Sequence, residues 1–251
     1  MINIRSAREI EFLRAAGEIS AEALMRVGES VRPGITTREL DTIARKFIES
    51  KGASPSFLGY HGYPASICAS VNDEIVHGIP GSRVLKDGDI ISIDLGAKYK
   101  GYHGDNAKTY AVGTITAEAK RLIRVTEESF YAGMYAFEAG QRLCAISAAV
   151  QKTAESAGFS VVRELVGHGI GQEMHEDPNV PNFVSFSKGP RLEAGMVLAI
   201  EPMINYGAKE TVTRPDGWTV CTRDGSLSAH YEHTVALTEH GPEILTKVSG
   251  G

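Results

Sequence analysis

Cysteine is scarce in this 251-residue chain: Cys68, Cys144 and Cys221 are odd in number, and none belongs to a C-x-x-C pair. That excludes a disulfide framework and a cysteine-rich structural zinc site, and it makes the cytosol the expected compartment. Clusters of basic residues are also missing. With 26 Lys and Arg against 31 Asp and Glu, the net charge is −5, which argues against a nucleic-acid footprint. No apolar run approaches the length of a membrane span, and the opening Ile4-Arg5-Ser6-Ala7-Arg8-Glu9 lacks the apolar core of a secretory signal. What remains is an ordinary globular composition, 42% hydrophobic and 23% charged, enough for one large domain or two intimately joined ones.

Ser6-x-x-Glu9 and Thr36-x-x-Glu39 are capping-box patterns, each followed by apolar residues at helical spacing. They predict one helix carrying Ile10, Leu13, Leu24 and Val27 and a second carrying Leu40, Ile43, Phe47 and Ile48, stopped at Lys51-Gly52. Short β-branched runs follow at Ser66 to Val71, Ile75-Val76, Ile90 to Leu95 and Lys108 to Val112, separated by turn signals such as Asp87-Gly88. The order then restarts, with a helix from Thr116 to about Ala136 and another from Leu143 to Ala157.

The restart is a repeat in sequence as well as in order. Leu85-Lys86-Asp87-Gly88-Asp89-Ile90-Ile91-Ser92-Ile93-Asp94 aligns without gaps on Leu192-Glu193-Ala194-Gly195-Met196-Val197-Leu198-Ala199-Ile200-Glu201. His77-Gly78-Ile79 and His168-Gly169-Ile170 read as a second matching pair. The expected architecture is a pseudo-symmetric α+β fold, a single domain over 1–251 with halves of about 1–113 and 114–251 that present acids and histidines to one central cleft.

Five residues stand out against their surroundings. Asp94 and Glu201 each close an apolar, strand-like run, Asp105 follows Gly104, His168 sits between two glycines, and Glu232 interrupts Tyr231 to Leu237. An ionised carboxylate in such a place costs several kcal/mol, roughly, unless it is paired or bound to a metal. Four of them carry a formal charge of about −4, which two divalent cations would balance. Gly96, Gly101 and Gly104 between the two aspartates suggest a turn that aims both at one point. On Glu232's run, Glu232, Thr234 and Ala236 share one face and His233, Val235 and Leu237 the other, and either face could be core. A donor set rich in oxygen, with one imidazole and no thiolate, suits Mn(II), Fe(II), Co(II) or Zn(II), and two such ions activate water for hydrolysis. His77 and His175 lie outside this set, as expected for groups that contact substrate or its tetrahedral intermediate.

Tyr60-His61-Gly62-Tyr63-Pro64, Ser70-Val71-Asn72-Asp73-Glu74, His77-Gly78-Ile79-Pro80, Gly167-His168-Gly169-Ile170-Gly171, Met174-His175-Glu176, Ile200-Glu201-Pro202 and Ser228-Ala229-His230-Tyr231-Glu232-His233-Thr234 together resemble the type I methionine aminopeptidases over nearly the whole chain. The resemblance implies the "pita-bread" fold, an antiparallel sheet with helices on its outer face, and removal of the initiator methionine from nascent polypeptide N-termini at the ribosome. It further implies that Asp105 and Glu232 bridge both ions, that Asp94 completes one, and that His168 and Glu201 complete the other. Glu201 would also shuttle the proton, and the methionine side chain would enter a pocket of Tyr60, Tyr63, Cys68, Met174 and Trp218. Asn72, Glu74 and Ser228 would hold a monovalent cation through backbone or side-chain oxygens, and a monomer is the expected state.

The chain departs from well-known bacterial members at three expected pocket positions, with Phe57 in place of cysteine, Met174 in place of phenylalanine and His230 in place of glutamine. Three alternatives stay open at this point. They are a peptidase of the aminopeptidase P or prolidase kind, a non-catalytic binding module on the same scaffold, and a cysteine peptidase built on Cys68.

Overall fold

The computed structural model describes residues 2–248. Both capping boxes form. Ser6 and Glu9 cap α1 (Ala7–Ser30), and Thr36 and Glu39 cap α2 (Thr37–Ser50), each through reciprocal side chain to backbone bonds. Thr116 caps α3 (Ala117–Tyr135), and α4 runs Cys144–Ser156. The strands of the first half are β1 (Ser54–Pro55), β2 (Cys68–Val71), β3 (Glu74–Val76), β4 (Ile90–Tyr99) and β5 (Tyr102–Ala111). Those that follow are β6 (Ser160–Val161), β7 (Gly167–Gly169), β8 (Glu176–Val180), β9 (Val197–Ile200), β10 (Met203–Asn205), β11 (Thr211–Thr213), β12 (Val220–Thr222), β13 (Ser228–Thr238) and β14 (Gly241–Ile244). Among the described residues no helix is long and apolar enough to cross a membrane.

The main sheet is antiparallel, and its central order, β2-β4-β5-β13-β9-β7, reads the same from either end once the halves are exchanged. Hydrogen bonds repeat with it. Gly34 N donates to Leu85 O at 2.8 Å, and Gly140 N donates to Leu192 O at 2.8 Å; Gly88 N donates to Val112 O at 2.9 Å, and Gly195 N donates to Leu237 O at 2.7 Å. Gly88 and Gly195 share a backbone φ of 94°, a value that glycine adopts far more readily than other residues, so the aligned strings fold alike down to their turns. The pairing corrects one expected equivalence. The counterpart of β7 is β2, not His77-Gly78-Ile79, because His77 follows β3, which pairs with β12 in a separate three-stranded sheet.

A second correction concerns the aspartates. Asp94 does not close a strand: the runs at Ile90 to Leu95 and Lys108 to Val112 are parts of one long hairpin that turns at Lys100-Gly101, both at positive φ. Gly96 and Gly104 are strand glycines rather than turn residues. A Cβ on Gly104 would lie 2.5 Å from the Cα of Gly17 in α1, so the helix backbone rests directly on β5 beside Asp105.

Strand parity then sorts the side chains. Ile91, Ile93 and Leu95 point from β4 toward α1 and α2, where they bury with Leu24, Leu40 and Ile48, each contributing about 1.5–3 kcal/mol. Ser92, Asp94 and Gly96 point the other way, and their cross-strand partners Thr109, Ala107 and Asp105 share that face. Glu232 pairs with Ala107, which settles its orientation: Glu232 faces the cleft, while Tyr231 and His233 face the helical layer. The helices therefore cover one side of the sheet, and the acids gather on the other.

Candidate metal centre

All five expected ligands converge. Asp94 and Asp105 come diagonally from β4 and β5, Glu232 from β13, His168 from β7, and Glu201 from the residue just after β9. Small partners, Ala107 and Ala199, stand opposite Glu232 and His168 and leave room between the carboxylates. His168 Nδ1 is 2.9 Å from the Gly169 carbonyl, which makes it the donor nitrogen and leaves Nε2 with a free lone pair. That Nε2 lies 3.5 Å from Glu201 Oε1 and 3.9 Å from Asp105 Oδ2.

No lysine or arginine lines this cavity, so the acids have no fixed counter-charge. Burial raises Asp94 well above the usual carboxylate range, with the charges of Asp105 and Glu201 adding to it. Burial lifts Asp105 to about 7 against the hydrogen bonds it receives from Asp94 and the Asn106 N–H. Glu201 and Glu232 are raised well above the usual glutamate value, again by burial first and by neighbouring acids second. His168 is depressed to about 3 by burial and by His175, so its imidazole is neutral at physiological pH, the form that binds metal.

Asp94 Oδ1, Asp105 Oδ1 and Glu232 Oε1 are buried without a hydrogen-bond partner. One donor atom from each of Asp105, His168 and Glu232 lies within 4.8 Å of the other two, and Asp94, His230 and Glu232 form a second such group. Orphaned carboxylate oxygens converging with a neutral imidazole fit hard-to-borderline divalent ions.

An apolar chamber adjoins the acids, and the whole cavity measures about 270 Å³. Its wall includes Tyr63, Cys68 and Met174, with Tyr60 and Trp218 packed at the edge. Trp218 stands edge-on to Tyr63 with ring centroids 5.1 Å apart, and its backbone N–H is held by Asp216 Oδ1 at 2.9 Å. His77 projects from a backbone at φ 59°, a strained position for a non-glycine residue, and burial depresses its imidazole to about 4. His175 occupies the solvent-exposed rim, where the Tyr60 hydroxyl meets its Nδ1 at 2.8 Å and leaves Nε2 for the cleft. Desolvation of the ring, then His61, pulls His175 below the usual imidazole value.

Several readings of individual residues change. His61 also lines the cavity, at φ 49° between Tyr60 and Gly62, and nothing in its sequence context marked it as more than a neighbour of the tyrosine. Phe57 and Met174 face the cavity as expected, but His230 does not line it and sits behind Glu201 and Glu232. Burial keeps the Cys68 thiol protonated, with the Asp94 charge adding to the effect, which removes the basis for a thiolate nucleophile. Glu74 does not offer its side chain to a monovalent cation: it accepts from the Val71 N–H at 2.7 Å, Arg83 at 2.9 Å and Arg214 at 2.6 Å. The Asn72 amide is likewise committed to Asp89 and to the Ile90 N–H.

The model of metallopeptidase family M24 matches residues 11–239. The chain belongs to that family. Methionine aminopeptidase 1 of Bacillus subtilis is 56% identical over 248 residues, covering 99% of this chain and 100% of that protein. The crystal structure of methionine aminopeptidase from Rickettsia prowazekii superposes with a TM-score of 0.96 at 42% identity, over 98% of this chain and all of that one. Prolidase from Pyrococcus furiosus shares the fold at a TM-score of 0.79 and 25% identity, but this chain spans only 66% of it. The M24 membership makes this a divalent-metal protein, and the neighbours give its architecture as the pita-bread fold.

Proposed function

We propose that this chain removes the N-terminal methionine from nascent proteins and peptides by metal-assisted hydrolysis, with a preference for a small second residue. The observation that carries the reading is the joining of an ion-ready acid cluster to a thioether- and aromatic-walled chamber. At about 270 Å³ the cavity falls below the roughly 300–1,000 Å³ of common ligand pockets, a size for one side chain and the start of the next residue. Tyr63 and Trp218 supply rings for the sulfur–aromatic contacts that favour methionine over an isosteric alkyl chain, and the polarisable Met174 lines the wall beside them. The relatives named methionine aminopeptidases cover the chain from end to end, which supports the same substrate.

In this reading Asp94, Asp105, His168, Glu201 and Glu232 hold two ions drawn from Co(II), Mn(II), Fe(II) and Zn(II). Two ions held there would lower the pKa of water and polarise the scissile carbonyl. Glu201, whose carboxylate is raised by burial and by Asp105, takes the proton of the attacking water and passes it to the departing amine. His175, fixed through Nδ1 by Tyr60, presents Nε2 to the peptide oxygen as charge develops there, and neutral His77 contacts the substrate beside it. Tyr60, Tyr63, Cys68, Met174 and Trp218 form the methionine pocket. The protein is a monomer of one domain made of halves 1–113 and 114–251, works in the cytosol, and meets its substrates as they leave the ribosome.

The test is hydrolysis of Met-Gly-Met, Met-Leu-Met and a residue–proline dipeptide by protein stripped of metal and reloaded with each ion anaerobically. Release of methionine from Met-Gly-Met ahead of Met-Leu-Met is the expected result. Cleavage only ahead of proline would make it a prolidase, and no turnover with any ion would make it a binding module.

A further inference from the structure

His230 lies on β13 two residues before Glu232, so both side chains leave the same face of the strand. It is 1% exposed, and neither ring nitrogen has a hydrogen-bond partner among the described residues. Leaving such buried groups unsatisfied is costly, which calls for a compensating partner. Nε2 is 3.7 Å from Glu201 Oε2 and 3.7 Å from Glu232 Oε2, beyond hydrogen-bond length. Donors that share one ion at about 2.1 Å stand about 3.0 Å apart at right angles and about 3.6 Å apart at 120°, so the spacing to Glu232 suits ligands of a common ion, while Glu201, grouped with His168, is a neighbour on the other side.

His168 gives an internal comparison. Its Nε2 is 3.5 Å from Glu201 and 3.9 Å from Asp105, the same relation that His230 bears to Glu201 and Glu232. The two candidate ligand groups, Asp105-His168-Glu232 and Asp94-His230-Glu232, each contain one imidazole.

We propose that His230 is a sixth ligand of the metal centre and supplies Nε2 to the ion held by Asp94 and Glu232. The inference rests on the two-ion reading above and adds a nitrogen to a position otherwise built from carboxylates alone. A nitrogen donor there favours Co(II) or Zn(II) over Mn(II). His230 is the weaker of the two imidazoles, because its Nδ1 has no acceptor comparable to the Gly169 carbonyl at His168.

Cobalt(II) titrated anaerobically into the metal-free full-length protein provides the test. A ligated imidazole keeps its Nδ1–H, which appears in proton NMR as a hyperfine-shifted signal that vanishes in D2O. Two such signals are expected in the native protein at two equivalents of Co(II), and one in each of His168→Gln and His230→Gln. By calorimetry, His230→Gln should also weaken one of the two binding steps at least tenfold. Glutamine can still donate a hydrogen bond to Glu201 and Glu232, so an affinity unchanged in His230→Gln would reduce His230 to a positioning residue and overturn the proposal. A single imidazole signal in the native protein with two ions bound would overturn the ligand assignment alone. Failure to bind any Co(II) would overturn the metal reading along with it.

Discussion

Stripping the metal should invert the pH dependence of stability. Burial raises Asp105 to about 7 and Asp94, Glu201 and Glu232 well above their usual range, so the metal-free native state holds protons that the unfolded chain, with carboxylates near 4, releases. A native state that binds more protons than the unfolded state loses stability as pH rises, until its own groups ionise. The buried histidines act oppositely: His77, His103 and His233 at about 4 and His168 and His230 at about 3 are neutral when folded and charged when unfolded. Their contribution is lost as pH falls below about 6.5, and from 6.5 to 8, as the unfolded chain gives up its remaining imidazole protons, each still adds about 0.4 kcal/mol. Between pH 6.5 and 8 the carboxylates therefore work against about 2 kcal/mol from the five histidines together. Integrating the protonated fraction of Asp105 over that window gives about 1 kcal/mol, and each other acid that stays protonated throughout adds up to about 2 kcal/mol.

At about 2–4 °C per kcal/mol for a chain of this size, the melting temperature of metal-free protein should fall by several degrees from pH 6.5 to 8, with Asp94, Glu201 and Glu232 keeping their protons across that window. Ion-loaded protein at fixed free metal should move the other way, because binding expels the same protons and strengthens with pH. Scanning calorimetry on chelated and reloaded samples at three pH values would show both slopes. A flat or rising melting temperature in the metal-free protein would refute the claim that the acids are protonated in the absence of ions.

Removing the hydroxyl that sets His175, in Tyr60→Phe, should lower kcat/KM on Met-Gly-Met about threefold to tenfold, and His175→Ala should lower it about a hundredfold or more. If Tyr60 acts only through His175, the double variant will match His175→Ala, and additive losses would show an independent role. Trp218→Ala should raise KM for methionine-initiated peptides without changing the bound metal, measured by steady-state kinetics beside elemental analysis. Gly104→Ala would drive a Cβ to 2.5 Å from backbone atoms of Gly17 and should lower stability by about 3 kcal/mol. Gly101→Ala, which meets no atom within 4 Å, should cost only the backbone strain of about 1–2 kcal/mol, and chemical denaturation would compare the two.

Much of this molecule is legible in its sequence because its signals are local. Ser6 with Glu9 and Thr36 with Glu39 announce helix starts within four residues, and all four helices begin within about a residue of where the caps and spacing put them. Gly96 and Gly104 were misleading for a physical reason. A glycine can mark a turn or a close backbone approach, and only the packing of α1 on β5 decides between them. Glu232's facing could not be read from a strand buried on both sides, and needed the pairing with Ala107. That Arg83 and Arg214 engage the Glu74 carboxylate was not legible, because Arg214 is distant in sequence, and His230 looked like a pocket residue because sequence order does not separate the chamber from the wall behind the acids.

The seam between β5 and β13 deserves a mechanical reading. Asp105 and Glu232 face each other's strands across it, with Asp94 on one bank and His168 and Glu201 on the other. Neither bank carries a complete donor set. An ion seated there would work as a rivet, stitching strands that the backbone joins through three registered residue pairs, Tyr231 to His233 against Lys108 to Asn106. Any strain that parts the two banks must loosen the rivet first, so metal release reports on slippage between them before either unfolds.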